Sequence, residues 1–260
     1  MPLTPNELIA LVFAAIAAGA INAVAGGGTL VTFPVLLLFG MPPVVANATS
    51  TLALSVGTAG SLFGYRSHLA RVKPWLWRFV PVSLIGGLLG GMLLTRTGNE
   101  SFAKLVPFLI LFATILFLAQ GAFRRFAGFG DGTGAVMRPR HVRAAVVFQF
   151  AVAVYGGFFG AGIGILMLAS LGFIGLTDIH EMNGLKTLLG ALINLVATFW
   201  FVAAGLIDWP RALVMTVGAL GGYFLGAHFA QRIPQRGVRL LITAIGLSIG
   251  LVTFYREFCR

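Results

Sequence analysis

Two glycine-rich breaks interrupt apolar runs at corresponding positions of this chain. The first spans Ala25–Leu30, and the second, about 135 residues later, spans Gly160–Ile165. An apolar stretch, a short turn and an Asn follow each break: Asn47 in the first copy and Asn183 in the second. In membrane proteins, glycine-interrupted apolar segments at matching positions of two halves point to a transporter's binding site. The pattern therefore predicts a duplicated membrane protein whose site lies at the breaks.

The composition fits a bilayer rather than water as the surroundings. Hydrophobic residues make up 58% of the chain, charged residues only 10%, and the mean hydropathy is +0.96. Soluble domains have about 25% charged residues, and apolar runs of about 20 residues are long enough to cross a bilayer. We expect an all-α, polytopic helical membrane protein. The net charge of +11 lies in short links between apolar runs, where it sets membrane topology, so we exclude nucleic acid as a partner.

The apolar runs divide into two sets of five. They fall at about 8–24, 29–39, 46–65, 75–95 and 102–123, and again at 142–159, 163–174, 182–206, 211–231 and 238–256. Gly86–Gly91 followed by Arg96 mirrors Gly221–Gly226 followed by Arg232. A sustained offset of 135 to 136 positions indicates an internal duplication. We predict a first transmembrane repeat over 1–123, a basic cytoplasmic linker over 124–141 and a second transmembrane repeat over 142–260.

The basic links predict the orientation of the halves. Links 66–78 and 124–143 are rich in Arg, whereas the second-half equivalent of 66–78 holds only Asp208 and Arg211. The next link is the basic one in that half, which favours an inverted repeat. The short segments 29–39 and 163–174 could each form a hairpin with the preceding segment, which gives the inverted repeat. Alternatively, each pair could be two half-helices of one broken span, which gives eight spans in parallel halves.

The breaks supply the first group of candidate substrate-binding residues. Glycine-rich backbone inside a membrane frees N–H and C=O groups, which are tolerated only in buried or wet surroundings. Helix starts at such a break present N–H groups and positive dipole ends to an anion. The alternative is close helix packing, which suits Gly218 and Gly222 better. The candidates in this group are Gly26, Gly27, Gly28, Thr29, Gly160, Gly162 and Gly164.

Polar side chains near the breaks form the second group. They are Asn22, Asn47, Thr49, Ser50, Thr51, Asn183, Lys186 and Thr187. An Asn or Thr at a helix start is often only an N-cap, and Asn22 could line a cavity or hydrogen-bond another helix. Lys186 is the sharper signal, because an ionisable residue in a membrane segment is a functional candidate. Its alternative role is to extend its ammonium to the membrane interface.

The sequence lacks the motifs of an enzyme or an ATPase. It has no His-x-x-x-His pair and no Gly-x-x-x-x-Gly-Lys-Ser/Thr, and its single Gly-x-Ser-x-Gly match, Gly246–Gly250, lies inside the apolar run 238–256. Its one cysteine is Cys259. We therefore expect no catalytic residues, no metal and no cofactor. The first apolar run is preceded by Glu7 and by no Lys or Arg, so we expect it to be a retained membrane segment rather than a signal peptide.

The two repeats resemble the signatures of the TauE/SafE family. The resemblance rests on residues 22–34 with Asn47 behind them, and on residues 156–164 with Asn183–Lys186 behind them. It implies a multi-pass protein of the bacterial inner membrane that exports small sulfur-containing anions such as sulfite or organosulfonates. The implied partners are that anion, the lipid bilayer and, as one option, a second copy of the chain in a homodimer.

We therefore predict a secondary transporter that holds a small anion between the two breaks and works by alternating access. Hydroxyl groups of Thr49, Ser50, Thr51 and Thr187 would donate hydrogen bonds, and Lys186 would supply positive charge. A passive anion channel on the same scaffold is the alternative, and a membrane-embedded enzyme is a third option without a supporting motif. The second break differs from the first by its Gly162-Ile163-Gly164 sequence, so we do not expect exact equivalence of the half-sites.

Overall fold

The computed structural model describes residues 3–24, 27–69, 72–126, 139–173, 176, 179–229 and 235–258. All regular elements in these ranges are α-helices, as the sequence predicts. They are α1 (Pro5–Val24), α2 (Thr29–Leu38), α3 (Pro43–Leu69), α4 (Lys73–Phe126), α5 (Pro139–Phe158), α6 (Ile163–Phe173), α7 (Ile179–Ala203), α8 (Trp209–Phe229) and α9 (Gln235–Phe258). Each predicted apolar segment coincides with a helix or with one section of α4.

Helix α4 consists of two sections that meet at Gly98. This glycine has φ +74° and ψ 167°, a conformation that L side chains rarely adopt. The sections correspond to the predicted segments 75–95 and 102–123. The Oδ1 atom of Asn99, just past the turn, accepts a hydrogen bond from the backbone N–H of Val44 at 3.0 Å. The turn in α4 therefore lies beside the start of α3.

The chain reverses direction at the first break. Gly28, at the start of α2, lies directly against the backbone carbonyl of Ala18 in the middle of α1. Helix α2 packs on α1, and α6 packs on α5 in the second half. The short helices therefore form hairpins with the helices before them, which was the first of the two alternatives for segments 29–39 and 163–174.

The two halves interlock reciprocally. Equivalent helices start 134 positions apart for the pairs α1/α5 and α2/α6, and 136 positions apart for α3/α7 and α4/α8. Helix α1 packs on α8, and its equivalent α5 packs on the first section of α4. The equivalent helices α3 and α7 pack on each other. Each half therefore completes the other, rather than standing beside it as a separate bundle.

Glycines bring the paired helices into backbone contact. Along α8, Gly218 faces Ala15 and Val12, Gly222 faces Ile16, and Gly226 faces Ala20. The order of contacts shows that α1 and α8 run in the same direction. A Cβ at Gly222 would collide with the Ile16 carbonyl. Gly218 and Gly222 are therefore packing glycines, as the sequence favoured.

Helices α3 and α7 run in opposite directions. Asp208, just past the end of α7, donates its backbone N–H to Thr49 Oγ1 near the start of α3 at 3.1 Å. Two helices that pack along their lengths with one's start at the other's end are antiparallel. Since α3 and α7 are equivalent helices of the two halves, this contact is compatible with an inverted repeat.

At one pair of equivalent contacts, both glycines belong to the first half of the chain. The Tyr223 ring of α8 lies directly against Gly57 of α3. At the equivalent contact, 136 positions away, Ile193 of α7 lies against Gly87 of α4. Gly57 receives an aromatic ring, whereas Gly87 lies against the Ile193 backbone and the Val196 side chain.

Three helices in the described ranges are long and apolar enough to cross a membrane by length and composition. The qualifying stretches are Pro5–Ala23, Lys73–Ala119 and Glu181–Ala203. Large apolar side chains such as Phe13, Phe199 and Phe224 are about 70% exposed on the outside of the bundle. Such an apolar exterior suits a lipid-facing surface.

Candidate functional site

A chain of hydrogen bonds holds the first break in place. The Gly28 N–H donates to Asn22 Oδ1 at 3.0 Å, and Asn22 Nδ2 donates to the Tyr223 hydroxyl at 2.6 Å. The hydroxyls of Tyr223 and Thr58 are 2.6 Å apart, and Thr58 donates to the Leu54 carbonyl at 2.9 Å. The Tyr223 hydroxyl also lies 3.4 Å from the Leu54 carbonyl, so it connects the Asn22 amide to both Thr58 and the α3 backbone. The Asn22 amide bonds another helix on one side and the break on the other, while its role toward substrate stays a prediction.

Replacing Tyr223 with Phe should destabilise the protein. The change removes the acceptor of the Asn22 amide and one hydrogen-bond partner of Thr58, and leaving a buried group such as the Asn22 amide unpaired costs about 1–3 kcal/mol. A thermal-unfolding series in detergent should show a lower Tm for Tyr223→Phe. The control is Tyr255→Phe, the same change at a side chain that is 64% exposed. Equal shifts in both variants would contradict the role given to the Tyr223 hydroxyl.

Two buried hydroxyls lie behind the first break. Thr32 Oγ1 donates to the Gly28 carbonyl at 3.2 Å and lies 2.6 Å from Ser50 Oγ. Both side chains are completely buried. Ser50 of α3 is thereby connected to the first glycine break through one intervening side chain.

Asn47 reaches from the first half to the second break. It lies in the second turn of α3, which begins at Pro43, so it is not the N-cap. Its Nδ2 donates to the Phe158 carbonyl at the end of α5, 3.1 Å away, while Thr51 Oγ1 donates to the Asn47 carbonyl at 2.8 Å. The Asn47 Oδ1 atom is buried and has no hydrogen-bond partner among the described residues.

The second break depends on backbone conformations that favour glycine. Gly160 has φ +82° and Gly162 has φ +79°, in the region that side chains with a Cβ rarely adopt. The Tyr155 hydroxyl donates to the Ala161 carbonyl between them at 2.7 Å. The second break is thus held by a hydrogen bond from a nearby residue, whereas the first break is held by the side chains of Asn22 and Tyr223.

Lys186 lies against the start of α6, just after the second break. Its aliphatic stem runs along Gly164, where an added Cβ would lie 3.4 Å from Lys186 Cδ. Its ammonium donates to Asn183 Oδ1 at 3.1 Å, and in the described ranges no carboxylate lies within ion-pair distance of it. Lys186 occupies the position equivalent to Ser50, at an offset of 136. The two halves thus place a cation in one copy and a hydroxyl in the other.

The two breaks approach one section of α4. Gly27 lies directly against the Phe117 ring, and Gly162 lies beside Leu116 and Ala113. Gly26 is outside the described residues, while Thr29 and Thr187 are partly exposed. The structure therefore groups Ser50 with the first break, Asn47 with the second, and Asn183 with Lys186 and Gly164. The assignment of these residues to substrate binding stays a prediction.

Sequence reasoning missed Tyr223 and Thr32. Both had a visible signal, since Tyr223 stands where the first half has Gly87, and Thr32 belongs to the polar residues that follow the first break. In the part of the chain that the structure describes, no group of three or more His, Cys, Asp or Glu side chains could hold a metal ion.

Family comparison agrees with this architecture. The family model described as sulfite exporter TauE/SafE matches residues 11–253. The chain belongs to the TauE/SafE family. The match includes both glycine breaks and both interlocked halves, and it makes this chain a multi-pass membrane protein of a transporter family.

The relatives of this chain carry general names. A probable membrane transporter protein of Haemophilus influenzae is 30% identical, with 96% of each chain covered. The probable membrane transporter protein YfcA of Escherichia coli K12 is 24% identical over 97% of this chain and 91% of its own. The probable membrane transporter protein ORF9 of a Sinorhizobium species is 27% identical over 95% and 93%. No solved structure matches this chain.

Proposed function

We propose that this protein is a secondary transporter that exports a small anion, sulfite or an organosulfonate, across a bacterial inner membrane. The family description names sulfite export. The observation that carries the proposal is Lys186, a partly buried cation on a long apolar helix whose stem lies against the glycine-broken start of α6. A charge placed inside a membrane protein is costly and is retained where an ion or substrate needs it.

The anion would lie between the breaks. Lys186 would supply the charge, and hydroxyl and backbone N–H donors would replace the anion's water. Thr187 and Thr29, which are partly exposed, are the hydroxyls best placed to reach a ligand without breaking an existing bond. Ser50 and Thr51 hold their present partners at 2.6 and 2.8 Å, so they would have to exchange them during transport.

Alternating access would use an inverted repeat. The antiparallel packing of α3 on α7 supports this arrangement, as does the reciprocal packing of α1 on α8 and α5 on α4. In inverted repeats, transport follows from rocking one repeat against the other around a fixed site. Each of the parallel, glycine-lined pairs α1/α8 and α4/α5 joins one helix of each half, so rocking would change the contacts within both pairs.

The distribution of charge supports an orientation. Basic residues cluster where α3 leads to α4, where α4 leads to α5 and where α8 leads to α9. In an inverted arrangement these three connections share one end of the bundle, and Lys- and Arg-rich connections stay in the cytoplasm. The turn at Gly98 and the connection from α7 to α8 would then face outward.

Flux measurements in proteoliposomes test the proposal. Sulfite or organosulfonate loaded on one side should drive saturable uptake of labelled substrate from the other, since counterflow requires a carrier. Current without counterflow would favour a passive anion channel. Carboxylates of similar size serve as the comparison substrates, and transport of these but not of sulfur oxyanions would contradict the substrate class.

A further inference from the structure

A buried ion cluster joins the first helix of one half to the fourth helix of the other. Arg211 of α8 donates through Nε to Glu7 of α1 at 2.6 Å and through Nη1 to Asp208 at 2.7 Å. Glu7 is only 4% exposed and Arg211 only 9%. Charges withdrawn from water in this way are stable only while each keeps its partner.

Asp208 connects this cluster to the candidate substrate site. Its Oδ1 accepts from the Arg211 backbone N–H at 3.1 Å, while its own N–H donates to Thr49 Oγ1 at 3.1 Å. Because the Thr49 hydroxyl oxygen accepts that bond, the hydroxyl proton of Thr49 points away from the Asp208 N–H. The position of Arg211 thus fixes Asp208, and Asp208 fixes the direction in which Thr49 can donate.

Three of the equivalent positions in the other half are described by the structure, and they carry no charge. The positions equivalent to Asp208, Arg211 and Thr49, at the same offset of 136, are Val72, Trp75 and Leu185. All three are buried in an apolar cluster. Among the described residues, the ion cluster therefore has no equivalent at these three positions, and it lies at the end away from the basic links.

Aromatic side chains close the same end. Phe33 of α2 packs edge-on against Phe159 and Phe102, with ring centroids 5.5 and 6.2 Å apart, and Phe102 packs against Phe158 at 5.5 Å. Phe158 is also the residue whose carbonyl accepts from Asn47. Opening this end would separate the helices that carry these rings.

We propose that the Glu7–Arg211–Asp208 cluster is a latch that holds the outward end closed and positions Thr49. The inference rests on the proposed function for the role of Thr49 but not for the closure itself. With the latch closed, α1, α8 and the start of α3 are held together at the outward end. Opening would separate Glu7 from Arg211 and release the Thr49 hydroxyl from the Asp208 peptide.

Cysteine labelling tests the closure without any substrate. Thr49→Cys in a Cys259→Ser background places one thiol at the Asp208 contact, and its maleimide labelling is measured in detergent. We expect slow labelling with the latch intact. Glu7→Gln should accelerate it by about tenfold, the effect of losing one charge-assisted hydrogen bond, and Glu7→Asp should restore most of the protection.

The equivalent interface between α4 and α5 supplies the control. Gln149→Leu removes the buried hydrogen bond from Gln149 Nε2 to Ser83 Oγ at 3.0 Å and leaves the latch intact. General loosening of the bundle would accelerate labelling in this variant too. Equal acceleration in Gln149→Leu, or none in Glu7→Gln, overturns the latch.

Transport kinetics test the positioning of Thr49 on the native background. Glu7→Gln should raise the apparent KM for sulfite by several fold, and adding Thr49→Val should raise it no further. Additive effects of the two changes overturn the positioning. If the unmodified protein transports no sulfur oxyanion, the proposed function fails, while the labelling result still decides the latch.

Discussion

Replacing Lys186 with Met should abolish anion flux while leaving the protein folded. Met keeps the length of the apolar stem that lies along Gly164 and removes the ammonium. Losing the charged partner of a desolvated anion costs at least about 3 kcal/mol, or a flux lower by about 100-fold at limiting substrate. Initial rates of labelled sulfite uptake into proteoliposomes are the measurement.

Lys104→Met is the matched control, because Lys104 is an exposed lysine on α4. Its flux should equal that of the unmodified protein. Size-exclusion profiles and Tm values should be similar for both variants, since Lys186 has Asn183 rather than a carboxylate as its partner. Undiminished flux in Lys186→Met would remove the residue from the site and leave extension to the interface as its role.

Replacing Gly222 with Ala should destabilise the α1/α8 pair. A Cβ at this position meets the Ile16 carbonyl, which belongs to a helix backbone and cannot rotate away. Overpacking of this kind costs about 1–3 kcal/mol. Because α1 and α8 belong to different halves, we expect a lower apparent Tm and a lower yield of monodisperse protein.

The adjacent Gly221 supplies the control for Gly222→Ala in the same helix. Nothing lies within 4 Å of a Cβ built there, and Ala is favoured over Gly in a helix by about 1 kcal/mol. Gly221→Ala should therefore be neutral or slightly stabilising in the same thermal-unfolding assay. If both alanine variants behaved alike, helix propensity rather than contact with α1 would account for the effect.

Local patterns in the sequence were sufficient to predict the helices. Apolar runs bounded by Gly, Pro and basic residues located each helix to within a few residues, because a bilayer permits only fully hydrogen-bonded helical backbone in such runs. The duplication predicted that segments 29–39 and 163–174 are equivalent but left two arrangements open, a hairpin or a broken span. The contact of Gly28 with Ala18 shows that α2 folds back on α1.

Contacts between distant positions could not be predicted in the same way. Asn22 and Tyr223 are 201 positions apart, and Glu7 and Arg211 are 204 apart. Neither pair is part of a repeated motif, since each exists in one copy only. Their bonds depend on the packing of α1 against α8, which no local periodicity encodes. For the same reason the sequence located Lys186 but not its contact with Gly164.

The contacts at Gly57 and Gly87 both use a glycine of the first half, so neither half can substitute for the other. Two copies of the first half would place glycine against glycine at both contacts and leave the space of the Tyr223 ring empty. Two copies of the second half would force Tyr223 and Ile193 into the same space twice. We therefore expect the two halves to depend on each other for folding. A gene divided within the linker should yield a working protein only when both fragments are produced together.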